Sequence, residues 1–341
     1  MMHRKHILSL FLLITILIHC FPIISAASGE SQKNSAGEKL SESDITACLV
    51  SGKHALDAGE YDKAIAMLSV ACEKFPLLGD YALLWRAKAY EGKGDTDKSL
   101  DDLRIIKEKY RESPLIKKVR LNEIELLRKK KDSGVGRLFE AFIKDNPSNL
   151  DVKYSYAAHL KENNEKQKAK ELFREIYISP SHLSASAFNE LSPSDISAGD
   201  LIRRGKNLNS VWLFEESEKC FREALRRDKN QPDEAVEGLA YSLFRQKRYK
   251  EAAELYKTTR NNYWRARSIL RSGDTDTFQS EMSEFSKTAD KRIASVLIAY
   301  GTRKRRDGNI EDALKIFNST LSQYPPAKEE ALWATGWTYY L

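Results

Sequence analysis

Two hydrophobic patterns run along this chain. The first is one unbroken apolar run, ILSLFLLITILI (Ile7 to Ile18), behind the basic start MMHRKH and ahead of the small residues ISAA. The second begins near residue 44 and continues to the last residue. Its apolar positions recur at three- and four-residue spacing, which predicts amphipathic helices separated by Gly, Asn and Pro turns. Inside that helical period lies a longer one. Residues 45–76, ITACLVSGKHALDAGEYDKAIAMLSVACEKFP, place Gly52 on a first helix and Ala64, Leu68 and Ala71 on a second. Gly59 and Tyr61 make the turn between them, and Pro76 stops the second helix.

The same skeleton returns down the chain. Ala87, Tyr90, Gly94 and Leu103 mark a second unit, with Ser99 at the small position, and Ala157, Leu160, Ala169 and Phe173 mark a later one. Gly205, Leu208, Ser217, Phe221 and Ala224 follow, then Ala240, Leu243, Tyr249, Ala252 and Tyr256, then Gly301, Gly308, Ala313, Phe317 and Pro325. Two units are weaker, one around Val135, Phe139 and Pro147 and one with Ala266, Gly273 and Met282. The spacing of small and large positions resembles the tetratricopeptide repeat, for which a period of about 34 residues is characteristic. The physical logic is that paired helices approach closely only where both are small, here Gly52 opposite Ala64, while large residues fill the gaps between hairpins. The expectation is an all-α fold, a right-handed α-α superhelix of about eight hairpins ending in an unpaired helix.

This reading divides the chain into a signal peptide (1–27), a flexible linker (28–43), a first set of hairpins (44–179), an irregular connection (180–200) and a second set (201–341). The linker is the polar stretch SGESQKNSAGEKLSES, and the connection, PSHLSASAFNELSPSDISAGD, breaks the period with Pro180, Pro193 and many serines. Ser25 and Ala27 offer the small-x-small cleavage spacing of an export signal. An uncleaved anchor and lipid attachment at Cys20 are the competing readings. His19, Cys20 and Pro22 cut the apolar run short of the ~20 residues a spanning helix needs, so no integral span is expected after signal removal. The expected location is exported, periplasmic or associated with the cell envelope. At the far end, EEALWATGWTYYL aligns Gly336 with the small first-helix position, as though a ninth hairpin had its first helix only. A fragment of a longer protein, or a last helix docked on the coil or on a partner, are the two readings of that end.

Composition adds little to fold and removes several functions. Of 341 residues, 31% are charged and nine are Pro, and the net charge of +7 drops to +5 once Arg4 and Lys5 leave with the signal. Cations on solvated helix surfaces account for most of that sign, which says little about partners by itself; nucleic acid is not an expected partner because an exported protein seldom meets it. Three cysteines remain beyond the signal. Cys48 and Cys72 sit on the two helices of one hairpin, where an exported protein can bridge them or pack them as small hydrophobes. No metal or cofactor is expected, because the six histidines are scattered and no zinc, phosphate-loop or nucleophile-elbow spacing occurs. The basic clusters, Arg128–Lys131, Arg203–Arg204, Arg226–Arg227 and Arg303–Arg306, each read as lying near a helix end, facing the negative end of the helix dipole.

The stretch 263–341 has a more particular look. YWRARSILRSGD and EEALWATGWTYY resemble the amino-terminal superhelical region of soluble lytic murein transglycosylases, through Tyr263, Trp264, Ala266, Arg267, Leu270 and Gly273, then Ala331, Leu332, Trp333, Gly336, Trp337 and Tyr339. The resemblance implies a non-catalytic coil that holds or guides peptidoglycan glycan strands for a lysozyme-like domain with an acidic Glu-Ser motif. That domain is not found in this chain. Glu112 and Ser113 copy the Glu-Ser pair, but in an inter-helix linker with no pocket to raise a carboxyl pKa. The chain as given is therefore expected to be no enzyme. The alternative is an exported adaptor that grips an envelope protein in a concave groove. Groove candidates are first-helix cations not used in packing, Lys53, Lys88, Arg203, Lys206 and Arg303. Repeat-packing candidates are Gly52, Ala64, Ala87, Ala169, Gly205, Phe221, Ala252, Gly301, Ala313, Phe317 and Gly336.

Overall fold

The computed structural model describes residues 42–340 other than 231. The expected signal and nearly all of the expected tether lie outside those residues; Glu42 and Ser43, read as the end of the tether, already belong to the first helix. The described residues form 18 α-helices and three short 3-10 turns, and no strand occurs among them. The fold is all-α.

The chain divides into two compact units, the first ending at Leu115 and the second running from Ile116 onward. The first unit holds α1 (Glu42–Asp57), α2 (Tyr61–Lys74), α3 (Gly79–Gly92) and α4 (Thr96–Lys109). These are two hairpins packed on a shared core of Leu49, Ala64, Leu68, Ala71, Ala82 and Ala89. The second unit continues with α5 (Ile116–Lys129), α6 (Val135–Asp145), α7 (Leu150–Glu162), α8 (Lys166–Ile178) and the short α9 (Ser184–Asn189). It goes on through α10 (Ala198–Ser210), α11 (Phe214–Arg227), α12 (Asp233–Arg245), α13 (Tyr249–Thr258), α14 (Asn262–Ser272), α15 (Thr275–Ser286), α16 (Ile293–Arg306), α17 (Ile310–Gln323) and α18 (Lys328–Tyr340). Eight hairpins and a last first-type helix result.

The stretch 180–200 is irregular but not outside the core. Ala187 and Ile196 are buried in the same cluster as Phe173, Tyr177, Leu201 and Phe221. The segment is tied down from α11: the Arg227 guanidinium donates to the carbonyls of Pro193 (3.0 Å) and Ile196 (2.6 Å). Glu223 orients that guanidinium at 2.7 Å, and Arg226 and Arg227 together hold the Glu223 carboxyl down at about 2. A depressed carboxylate stabilises above its unfolded value, about 4.3, and the contribution is lost as pH falls through about 2. Protection of the amides in residues 194–198, taken as exchange relative to an unstructured peptide at the same pH, is expected to hold at pH 5 and to fall on acidification through that window, with Glu223→Gln poorly protected throughout.

Three of the first-helix glycines lie against large side chains of the second helix. A Cβ added at Gly52 would meet Leu68 at 2.7 Å, at Gly205 would meet Phe221 at 2.8 Å, and at Gly301 would meet Phe317 at 2.6 Å. The first-helix glycine is thus a socket for the large second-helix residue at a constant offset (52 to 68, 205 to 221, 301 to 317). Leu68, not Ala64, is what reaches Gly52 most closely. Ala64, Ala87, Ala169, Ala252 and Ala313 are all buried, as are Phe221 and Phe317. Gly336 differs from the rest, since nothing lies within 4 Å of where its Cβ would be.

Turns inside the hairpins need one left-handed residue. Gly59, Gly94, Gly273 and Gly308 supply it with φ between 74° and 85°. Asn164, Lys131, Lys247 and Trp212 occupy the same conformation in other turns, Trp212 at φ 67°. A bulky side chain there costs about 1 kcal/mol or more against glycine. Trp212 is 72% exposed and touches only the Arg245 guanidinium among charged groups at its ring, 5.8 Å away. Trp212→Gly should therefore raise the melting temperature of the second unit by ~2–4 °C, checked by circular dichroism.

Candidate functional site

First helices of successive hairpins lie side by side, so residues one and two turns apart on each converge on one surface. In the second unit α10, α12 and α14 frame a cleft of about 380 Å3. Lys206 and Asn209 come from α10, Glu234, Glu237, Gly238 and Tyr241 from α12, Tyr256 from α13 and Trp264 from α14.

Its floor is aromatic. The Trp264 ring stacks on Tyr256 at 5.9 Å and meets Tyr241 edge-on at 5.6 Å and Phe244 at 5.3 Å. Arg267 caps the cluster, its guanidinium 5.1 Å from the Trp264 ring and donating to the Tyr263 hydroxyl at 2.8 Å. Burial pushes the Tyr256 phenol well above its ordinary value, so it stays neutral at any physiological pH.

Its walls are polar and held in place from behind. Ser242 Oγ lies 3.1 Å from Asn209 Oδ1 and 2.9 Å from the Gly238 carbonyl, its one proton shared between the two acceptors. Ser217 Oγ sits 3.1 Å from Ser242 Oγ and donates to the Gly205 carbonyl at 2.7 Å. The Asn209 amide is therefore fixed in orientation, with its Nδ2 on the Gly238 carbonyl at only 3.4 Å. Asn261 Nδ2 donates to Glu237 Oε1 at 2.9 Å, and Lys206 is ion-paired with Glu234. Gly238 has two roles. It borders the cleft, and its missing Cβ makes room for the Phe221 ring, which a Cβ there would strike at 2.3 Å.

The five cations expected to line a groove are divided between the two units. Lys206 borders this cleft, neutralised by Glu234. Arg203 lies outside it and pairs with Asp200 in the capping box of α10. Arg303 reaches the Gly273 carbonyl at 3.5 Å. In the first unit Lys53 pairs with Asp57 and stands 5.8 Å from the Trp85 ring, and Lys88 is half-buried with partners of its own. Three of the basic clusters do fall in or just after last turns, of α5, α11 and α16. Arg203 and Arg204 do not. They lie in the middle of α10, where Arg204 covers the Tyr177 ring at 4.3 Å and donates to the Tyr177 carbonyl.

Glu112 and Ser113 have a structural setting. Ser113 Oγ donates to Asp80 and accepts from the Leu115 amide at 3.1 Å, and Glu112 is exposed. Cys48, Cys72 and Cys220 are free thiols, and burial pushes Cys72 up to about 11. No helix of the described residues is long and apolar enough to cross a membrane.

Stacked hairpins with glycine sockets, and a cleft built from first helices, define a helical-repeat protein. Models of the tetratricopeptide repeat match residues 81–113 and 213–268, one stretch in each unit. Those two stretches carry the tetratricopeptide-repeat pattern. No curated protein sequence matches it. Among solved structures it is similar to a tetratricopeptide repeat protein from Parabacteroides merdae, at 15% identity over 76% of this chain and 98% of that one, TM-score 0.32. It is also similar to the C-terminal part of a repeat-containing protein from Cytophaga hutchinsonii, at 13% identity over 84% and 98%, TM-score 0.32. The TPR2AB domain of yeast Sti1 in complex with pHSP90 matches at 15% identity over 88% and 100%, TM-score 0.30.

Proposed function

We propose that this chain is an interaction protein whose second unit holds an extended segment of a partner protein in the cleft between α10, α12 and α14. The observation that carries the reading is the pairing of a pre-oriented Asn209 amide with an aromatic floor. An amide side chain both donates and accepts, which suits a peptide backbone, and an aromatic floor covers an apolar side chain of the segment.

A peptide-array screen against the full chain, followed by calorimetric titration of the hits, tests this. Hits should bind with micromolar Kd, and the pair Asn209→Ala and Tyr241→Ala should weaken them at least about tenfold, the cost of losing one or two central contacts. Equal binding by the double variant would sink the reading.

A second reading is the coil of an exported lytic transglycosylase, with peptidoglycan strands as ligand. It is supported by the resemblance over residues 263–341 and by the apolar leader Ile7–Ile18. Co-sedimentation with purified sacculi tests it, and a chain that stays in the supernatant while binding peptides would exclude it.

A further inference from the structure

The left-handed residue in each turn from a first helix to its second projects away from the fold. A Cβ built at Gly59, Gly94 or Gly308 would meet nothing within 4 Å. Elsewhere among the described residues the position holds Gly273, Asn164, Lys131 or Lys247, as suits a site that faces water. Between α10 and α11 it holds Trp212 instead. The residues on either side are apolar too, Val211 at 47% exposed and Leu213 at 44%. One hairpin of the second unit therefore ends in a projecting apolar tip.

The tip is held outward. The Arg245 guanidinium lies 5.8 Å from the Trp212 ring, 4.7 Å from Phe214 and 5.7 Å from Tyr241. It is anchored by donating to the Tyr241 hydroxyl at 2.7 Å. Gln246 donates to the Phe214 carbonyl at 3.2 Å, which ties the turn between α12 and α13 to this one. Lys247 of that turn stands at the same register position as Trp212 and is exposed, as is Arg245. Arg248 is neutralised by Glu218 and Glu251, whereas Arg245 and Lys247 meet no carboxylate among the described residues. The nearest acids in sequence, Glu215 and Glu216, belong to the first turn of α11, at the positive end of its dipole.

We propose that Val211, Trp212 and Leu213 insert into the interfacial zone of a phospholipid bilayer, with Arg245 and Lys247 on the headgroup phosphates. Three features select a lipid surface over a protein. The tip is a knob standing in open space, and a bilayer admits a knob without a socket of matching shape. At these exposures the three side chains offer about 300 Å2, far below the ~800 Å2 per partner of a standard protein interface. An indole between aliphatic residues, with cations beside it, is also the composition that sits at headgroup level. The backbone agrees. A tryptophan kept where glycine is the more stable choice is kept for something other than stability.

The full chain, mixed with vesicles of phosphatidylcholine and phosphatidylglycerol whose acyl chains carry bromine, tests this, because bromine quenches an indole that reaches the acyl region. Quenching is read as the difference between the parent and Trp212→Gly. That difference reports Trp212 alone, even where the apolar leader Ile7–Ile18 also holds the chain on the vesicle. The parent should lose emission that the variant keeps, while the variant melts higher. Val211→Ser with Leu213→Ser retains the Trp212 fluorophore and should cut its quenching at least about threefold, since most of the aliphatic insertion is gone. Equal quenching of the parent and Trp212→Gly would overturn the proposal. So would a Trp212 that is shielded by a bound peptide or protein and not by lipid.

Discussion

Phe221→Ala is expected to cost the second unit ~3–5 kcal/mol, read as a drop in the urea midpoint at unchanged slope. The ring is fully buried and wedged between two glycines, with Gly205 on one side and Gly238 on the other. Few second-helix residues serve two sockets, and removing this one opens the contact between α10 and α11 and that between α11 and α12 together. The complementary change is Gly238→Ala. Helix propensity alone would favour it by ~1 kcal/mol. The added methyl, however, would sit 2.3 Å from the ring, at the same Cζ and Cε2 end that lies against Gly205, so a net loss of ~1–3 kcal/mol is expected. Phe221→Leu in the same chain should recover part of that loss. A strictly additive double-mutant cycle would show that Gly238 and Phe221 are not in contact as described.

The second large effect belongs to the first unit. Arg86 Nε and Nη2 grip Asp102 at 2.9 and 2.6 Å, with Ser69 Oγ accepting from Nη1 at 3.1 Å. The Asp102 side chain is 4% exposed and that of Arg86 18%. Burial lifts the Asp102 carboxyl above its ordinary value against the pull of the guanidinium. Asp102→Ala leaves a guanidinium without its counterion and should cost ~3–5 kcal/mol. Replacing both partners, Arg86→Met with Asp102→Leu, should return stability to near the parent value, because neither residue then carries a charge to desolvate. Thermal melts of the three variants decide it. A double variant as unstable as Asp102→Ala would mean that the pair itself, rather than the orphaned charge, matters.

Both effects have different visibility in the sequence. Phe221 and Gly205 stand at repeat positions, and their burial follows from register alone. Gly238 stands at no marked position, and its contact with Phe221 exists only because α11 is followed by α12 at a particular rotation. Arg86 and Asp102 read as two more surface charges on amphipathic helices. Their pairing joins residues of different helices, a relation that no local pattern encodes. The same holds for Arg203 and Arg204, which as a doublet suggested a helix end and instead sit mid-helix, one completing a capping box and one covering Tyr177.

The cleft follows this division. Lys206 was accessible to sequence reasoning as a first-helix cation, and Trp264 stood out as part of a conspicuous YWRAR stretch. Asn209, Glu237 and Tyr241 were not singled out, although all are polar or amphipathic residues on the non-packing face of first helices, which is the signal that could have found them. What could not be read is that Ser242 and Ser217, from two other helices, fix the Asn209 amide.

The sequence by itself determined the helices, their turns and the pairing of each first helix with its second, since small and large residues at a fixed offset can be satisfied only by antiparallel contact. Only the tertiary structure decided which charges are buried and which glycines serve a neighbouring hairpin. Those properties depend on the rotation of one hairpin against the next, set by side-chain volumes summed over several helices at once.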